Sequence, residues 1–284
     1  MGKYKKILVA FDGSISSKNA LKQAIKFSET EKCWIKVIAV VPSYEGDLEL
    51  IGVSNIKEVL KGPAERLVEE ARDIAESEKA TIITNIEQGE AYERIVDIAE
   101  SENCDIIVMG RRGRHRLERA LMGGVTAQVI GHSKKDVLVV PRDAVLGWEN
   151  ILLATDGSEY SEAAADHAID FAQSYGSKLS AISVVNVTEE FYALAPDAVD
   201  KMIISSRTML EGIREKAEST GIAIETFVKE GEPHSKIVEL ANEKNADVIF
   251  MGSHGRTGIT RILMGAVTER VIGKSSCPVL VVRI

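Results

Sequence analysis

Short apolar runs alternate along this chain with windows whose apolar residues recur at helical spacing. Runs at residues 7–11, 35–41 and 137–140 are apolar almost throughout, which is typical of strands buried on both faces of a sheet. Windows at 20–28 and 67–75 carry apolar residues three and four positions apart and predict amphipathic helices. Strands alternating with helices predict an α/β fold with a parallel sheet. The predicted strands of the first half are residues 7–11, 35–41, 81–86, 105–109 and 137–140.

This pattern occurs twice, because segments of the first half return 144 or 142 positions later. The recurring pairs are 7–14 with 151–158, 89–90 with 231–232, 105–110 with 247–252, and 137–140 with 279–282. Such a repeat indicates two copies of one unit, each a doubly wound, open sheet of five strands with about four helices. Gly147 and polar neighbours interrupt the pattern near residues 142–150, so we predict domains over 1–143 and 144–284.

The fourth strand of each half is followed by a glycine-rich loop that opens a helix. Its residues are Gly110, Gly113, Gly123, Gly124, Val125 and Thr126 in the first half, and Gly252, Gly255, Gly265, Ala266, Val267 and Thr268 in the second. Glycine permits a close approach to a bulky anion and positive φ values, and the free N–H groups at a helix start hold phosphate. Because the spacing is the same in both halves, we predict phosphate-binding loops rather than flexible basic ones. Five arginines lie between 110 and 119, and Arg256 and Arg261 lie in the second loop.

These features resemble the universal stress protein family. The resemblance rests on the glycine spacing, on Asp12 and Asp156 after the first strands, and on the apolar run at 278–282, and it covers both halves. It implies five-stranded sheets in the order 3-2-1-4-5, of the adenine nucleotide alpha hydrolase type, with ATP-class ligands whose phosphates lie on the glycine loop. It also implies that the adenine side is bound by Asp12 and Val40 and by Asp156 and Val184, each valine 28 residues after its aspartate.

Two details separate this chain from the family pattern or separate its halves. Gly124 and Ala266 stand where ATP-binding members usually have serine or threonine, and losing one hydroxyl bond to phosphate costs about 1.5–3 kcal/mol, or roughly 10- to 150-fold in affinity. Thr126 and Thr268 stand two residues further on, so we expect binding to survive but to be weakened or shifted toward ADP or AMP. Thr155, beside Asp156, keeps the second half closer to the family pattern, so we expect the better adenine fit there. The arginine cluster of the first half favours a more anionic ligand.

Composition excludes several other functions. The formal net charge of −8 argues against nucleic-acid binding, which needs an extended basic surface. No apolar run approaches the roughly 20 residues of a membrane-spanning helix. Cys33, Cys104 and Cys277 are scattered and form no CxxC pair, which predicts buried thiols in a reducing, cytoplasmic compartment.

The sequence does not predict a catalytic centre. It has no GxxxxGK[ST] motif and no serine, histidine and acid set with nucleophile spacing. His115 and His254 lie in the glycine loops but out of register, so neither is predicted to be a general acid. Asp12 and Asp156 either coordinate Mg²⁺ or contact the ribose or base, and the sequence leaves both options open.

We therefore predict a stress-response or regulatory protein that binds ATP, ADP or AMP without rapid turnover. The alternatives are a slow ATPase or nucleotidyl-transfer enzyme of the same fold, and an assembly protein that binds no nucleotide. Residues 137–141 and 279–283 are predicted to pair within the chain as a built-in dimer of the two halves, and a homodimer is a further expectation.

Overall fold

The chain folds into two units, which the computed structural model describes over residues 3–43, 56–113, 122–255 and 264–284, with the backbone alone for 56–60. The first unit comprises Met1–Lys135 and Val139–Asp143, and the second comprises Asp136–Leu138 and Ala144–Ile284. None of the helices within those ranges combines the length and the apolar composition that a bilayer crossing requires.

The first copy of the repeat alternates strands with helices along the chain. Its elements are β1 (Lys6–Ala10), α1 (Ile15–Glu31), β2 (Trp34–Val41), α2 (Ile56–Ser77), β3 (Ile83–Gln88), α3 (Ala91–Ser101), β4 (Ile106–Gly110), α4 (Gly124–His132) and β5 (Asp136–Val140). The strand order is β3-β2-β1-β4-β5. β1 lies parallel to both β2 and β4, and β2 lies parallel to β3.

The second copy repeats this arrangement. Its elements are β6 (Asn150–Ala154), α5 (Glu159–Tyr175), β7 (Lys178–Val185), α6 (Glu189–Leu194), α7 (Pro196–Ser219), β8 (Ile224–Glu230), α8 (Pro233–Glu243), β9 (Val248–Gly252), α9 (Ala266–Lys274) and β10 (Val279–Val282). The strand order is β8-β7-β6-β9-β10. The predicted fold, a doubly wound parallel sheet of order 3-2-1-4-5 in each half, is confirmed.

Local sequence explains where the first helix of each copy begins. The Ser14 side chain accepts a hydrogen bond from the backbone N–H of Ser17 and caps α1, and Ser158 caps α5 in the same way. Such a cap stabilises a helix by about 1 kcal/mol. The apolar residues of α1 pack against the sheet, and Leu21 among them is fully buried. Burying a side chain of that size contributes about 1.5–3 kcal/mol to stability.

Two segments differ from their predictions. The third strand was predicted at residues 81–86 with both faces buried, but β3 begins at Ile83, and Ile83 and Ile86 are 50% and 39% exposed. The reason is the position of β3 at the outer edge of its sheet, where a strand has a neighbour on one side only. Met202 belongs to an apolar stripe at helical spacing, a pattern that predicts a core residue, but it is 44% exposed on α7.

The two halves are least alike at residues 44–61 and 188–199, and this difference favours surface loops there. Residues 188–199 contain α6 and the first turn of α7, in which Val199 is buried. Residues 44–55 lie outside the described part of the chain, and α2 begins at Ile56.

Candidate functional site

A cavity of about 420 Å³ lies at the carboxyl edge of the first sheet. Here β1, β2 and β4 end side by side, since Ala10 pairs with Ile38 on one side and with Met109 on the other. All the site residues predicted for the first half line this cavity. They are Asp12, Val40, Gly110, Gly113, Gly123, Gly124, Val125 and Thr126.

A second cavity of about 290 Å³ occupies the equivalent edge of the second sheet. Ala154 pairs with Ile182 and Met251 there, so the strand ends meet as they do in the first unit. The predicted residues of the second half all line this cavity. They are Thr155, Asp156, Val184, Gly252, Gly255, Gly265, Ala266, Val267 and Thr268.

Sequence interpretation missed an apolar wall that forms one side of each cavity. Ile38 lies two residues before Val40 on β2, and strand residues two apart face the same side of a sheet. That spacing is the signal that identifies the strand members of the wall. The wall residues are Ala10, Ile38, Ile95 and Met109 in the first cavity and Ala154, Ile182, Ile237 and Met251 in the second.

An Asp-Gly-Ser turn fixes the aspartate of each cavity. The backbone N–H of Ser14 donates to Asp12 Oδ1 at 3.0 Å, and that of Ser158 donates to Asp156 Oδ1 at 3.0 Å. Gly13, between them, has a φ of 73°, a conformation that favours glycine because a side chain would clash with the backbone. Each carboxylate is thus held at the rim of its cavity by the turn that leads into the following helix.

The first two loop glycines lie where the protein packs closely around them. A Cβ at Gly110 would lie 2.7 Å from the backbone carbon of Ser16 at the start of α1, and one at Gly113 would lie 2.6 Å from Asp12 Oδ2. Neither Gly110 nor Gly113 has a positive φ. The prediction that these two glycines serve positive φ values is therefore wrong, because each lies where the protein packs too closely for a Cβ. The close approach of an anion stays a prediction.

The second copy has the same close packing. A Cβ at Gly252 would lie 2.7 Å from the backbone carbon of Tyr160, and one at Gly255 would lie 2.5 Å from Asp156 Oδ2. Gly124 is different, because a Cβ there would meet no atom of the described residues within 4 Å. The helix start is thus the part of the first loop that faces open space.

The start of α4 presents backbone donors that have no partner within the helix. Its N-cap, Gly123, offers no side-chain hydrogen bond, and the first N–H groups of an α-helix have no partner within the helix. The residues that carry these groups, Gly124, Val125 and Thr126, line the cavity. Because the N-terminal end of a helix is also electrostatically positive, this feature suits an anion.

The threonine hydroxyls at the two helix starts do not replace the missing serine or threonine. Thr126 Oγ1 donates to the carbonyl oxygen of Gly110 at 3.1 Å, and Thr268 Oγ1 donates to that of Gly252 at 3.0 Å. Both threonines are 3% exposed. Their hydroxyl protons fasten the helix to the end of the strand, so the expectation that they stand in for the hydroxyl absent at Gly124 and Ala266 is wrong.

One arginine of the predicted basic cluster lines the first cavity, namely Arg112. Its neighbour Arg111 does not line it, and burial together with the charge of Arg112 lowers the pKa of the Arg111 guanidinium. His254 occupies the position equivalent to Arg112 and lines the second cavity. The other loop residues singled out in the sequence lie outside the described residues, namely Arg114, His115, Arg116, Arg119, Arg256 and Arg261.

The sequence model of the universal stress protein family matches residues 3–141 and 147–283. The chain belongs to the universal stress protein family. A family member from Mycolicibacterium smegmatis is 26% identical over 98% of this chain and 96% of its own length. A member from Methanocaldococcus jannaschii is 40% identical over 48% of this chain and 82% of its own length.

A crystal structure of a universal stress protein from Archaeoglobus fulgidus has the same fold over the whole chain. It matches with a TM-score of 0.74 at 23% identity and covers 99% of both chains. Matches of this length place both units within the family, so the two copies of the repeat are two universal stress protein units in tandem.

His234, next to the second cavity, is buried and lies between an acid and a base. Its Nδ1 is 3.3 Å from Glu232 Oε1, and its Nε2 is 2.6 Å from Lys274 Nζ. Burial and the charge of Lys274 lower the pKa of His234, while Glu232 acts in the opposite direction. The ring is therefore neutral, with Nε2 accepting a hydrogen bond from Lys274 and Nδ1 close to the Glu232 carboxylate.

This arrangement predicts that the native protein loses stability as pH falls below about 6.5, the ordinary pKa of histidine. In that range the unfolded chain takes up a proton at His234 that the native chain resists. Tyrosine occupies the equivalent position in the first unit, as Tyr92, so His234→Tyr is a natural replacement. Urea unfolding at pH 7 and pH 5 is expected to show a smaller acid-induced loss in H234Y than in the wild type. Equal losses would contradict this role of His234.

Proposed function

We propose that each unit binds one adenine nucleotide and that binding, rather than rapid turnover, is the activity of this protein. One observation carries the proposal: the predicted residues of each half line one cavity, together with apolar strand residues and the start of a helix that has no side-chain cap. Cavities of about 300–1,000 Å³ with a mostly apolar lining and a few placed polar groups are typical small-molecule sites.

The lining favours one orientation of the nucleotide. The adenine ring fits against Ile38, Val40 and Met109, whose side chains exclude water from a flat, weakly polar base. The phosphates then reach Gly124 and Val125, where backbone N–H groups and the helix dipole stabilise negative charge. Asp12 lines the same cavity, and in this orientation of the nucleotide it would bind the ribose. If Mg²⁺ accompanies the phosphates, Asp12 and its equivalent Asp156 are the carboxylates that would hold it.

Nucleotide occupancy would act on a partner by changing the surface around the cavity. Gly110, Gly113 and the start of α4 line the first cavity, so a bound phosphate would contact this part of the surface. A regulatory role in the stress response follows from this arrangement and from family membership. The predicted homodimer, the pairing of the two halves and the cytoplasmic location stay predictions.

The direct test identifies what the protein carries. Freshly purified full chain is denatured, and the released small molecules are identified and counted per chain by chromatography and mass spectrometry. Adenine nucleotide at one or two molecules per chain supports the proposal. If no nucleotide is released and a titration with Mg-ATP gives no signal, the proposal fails and the assembly alternative replaces it. Release of ADP from added ATP at several turnovers per minute would favour the enzyme alternative.

Gly124→Ser should raise the affinity of the first cavity for ATP about tenfold, because it adds a hydroxyl that donates to a charged phosphate. The new Cβ has room among the described residues, none of which has an atom within 4 Å of its position. Gly124→Ala adds the same Cβ without the hydroxyl and is the matched control. Calorimetric titration with ATP should separate the two variants, and equal affinities would show that no phosphate lies beside residue 124.

A further inference from the structure

The two cavities share their apolar walls but differ in charge at one position of the glycine loop. Arg112 lines the first cavity, and His254 lines the second at the equivalent position. The wall residues on the strands are identical in type, since alanine, isoleucine, valine and methionine recur in both. The strand part of the wall is thus the same in both cavities, although Phe11 lines the first where Thr155 lines the second. The difference in charge lies in the glycine loop.

The backbone that carries these two residues is held in the same way in both units. Ser14 Oγ donates to the carbonyl oxygen of Arg112 at 3.3 Å, and Ser158 Oγ donates to that of His254 at 3.4 Å. These contacts involve only main-chain atoms of the loop residue. Exchanging the two side chains therefore changes the chemistry of the cavity and leaves this anchoring contact in place.

The difference between arginine and histidine matters because each cavity also contains one carboxylate. Among the described residues that line the first cavity, the charged side chains are Asp12 and Arg112, whereas in the second cavity Asp156 stands with a histidine. A guanidinium stays charged throughout the physiological pH range and binds phosphate oxygens through two donors. The first cavity therefore offsets its carboxylate, and the second does so only when its histidine is protonated.

His254 offers less to an anion for geometric reasons as well. It is 6% exposed, its Nδ1 lies 3.0 Å from Ser253 Oγ, and its ring packs 5.1 Å from that of Tyr160. The serine contact occupies one ring nitrogen, so at most one N–H remains for a ligand. The second cavity is also smaller, at about 290 Å³ against about 420 Å³.

We propose that the two units bind nucleotides of different charge, and that Arg112 and His254 determine this specificity; the inference rests on the proposed function. The first cavity takes a nucleoside triphosphate or diphosphate. The second takes a nucleoside monophosphate. One chain thus holds two ligands of one chemical class that differ in phosphate number, which would let a single protein respond to their ratio.

The test exchanges the two side chains in the full chain and measures ATP and AMP separately. Arg112→His is examined with the second cavity closed by Val184→Asp, and His254→Arg with the first cavity closed by Val40→Asp. R112H should lower ATP affinity about tenfold or more, the effect of losing a charge-assisted hydrogen bond, and should change AMP affinity much less. H254R should raise ATP affinity at the second cavity and leave AMP affinity nearly unchanged. Arg66→His, at an exposed arginine outside the cavity, is the control.

The outcomes separate this inference from the proposed function. If neither ATP nor AMP binds to either closed-cavity chain, the proposed function fails. If both nucleotides bind but R112H and H254R leave the ratio of ATP to AMP affinity unchanged, the inference is overturned while the proposed function stands. A fall in ATP affinity for R66H equal to that for R112H would also overturn it, because the effect would then come from overall charge.

Discussion

Replacing Val40 with aspartate lowers the ATP affinity of the first cavity by about 100-fold or more. Val40 lines the apolar wall beside Ile38 and Met109, and an unpaired charge in such a place costs several kcal/mol, of which about 2.7 kcal/mol already equals 100-fold. The new carboxylate also adds to the negative charge of Asp12 and repels the phosphates. Val184→Asp should do the same to the second cavity, where Ile182 and Met251 form the wall.

The control carries the same substitution at a valine outside the cavities. Val145 is 67% exposed, so V145D introduces an equal charge into solvent and should leave ATP binding unchanged. Calorimetric titration of the full chain measures each variant, and circular dichroism verifies that each is folded. An ATP affinity for folded V40D within threefold of that for V145D would show that the base does not lie against this wall.

Gly110→Ala destabilises the first unit by about 1–3 kcal/mol, the usual cost of forcing an extra carbon into a closely packed site. The added Cβ would lie 2.7 Å from the backbone carbon of Ser16 and 2.8 Å from the backbone nitrogen of Ser17. Both atoms belong to the first turn of α1, which cannot move without losing its cap at Ser14. Gly252→Ala should have a similar effect in the second unit, against the backbone of Tyr160.

Gly124→Ala provides the contrast within the same loop and helix. Within the part of the chain that the structure describes, its Cβ meets no atom within 4 Å. Alanine also restricts the unfolded chain more than glycine does, so the variant should be neutral or stabilised by up to about 1 kcal/mol. Urea unfolding, followed by far-ultraviolet circular dichroism, gives the free energy of unfolding of both variants. Equal stability of G110A and G124A would show that the loop does not pack against α1 in the way described.

The fold could be predicted from sequence because two independent signals agree. The repeat of 7–14 at 151–158 established two copies, and the alternation of apolar runs with helical windows established parallel sheets. The exposure of β3 could not be predicted from its apolar pattern. Such a pattern does not tell whether a strand lies inside the sheet or at its edge. Only the strand order, which places β3 outermost, explains the exposure of Ile83.

The candidate site could be predicted in position but not in its physical causes. Residues at strand ends and in glycine loops were identified because ligands of doubly wound sheets bind beyond the carboxyl ends of the strands. Glycine is needed at position 110 because the chain there contacts α1, nearly a hundred positions earlier. No local sequence pattern reveals such a contact. Likewise, the hydroxyl of Thr126 was expected to face a ligand, whereas it donates to the Gly110 carbonyl, which lies 16 residues before it.

The most direct test of the central claim is a calorimetric titration of nucleotide-free full chain with ATP, comparing the wild type with the double variant V40D/V184D. The wild type should show saturable binding, at two sites per chain if both cavities take up ATP at the concentrations used and at one if only the first does. The double variant should show none while keeping the wild-type circular dichroism spectrum. Absence of saturable binding in the wild type, or unchanged binding in the folded double variant, would contradict the account.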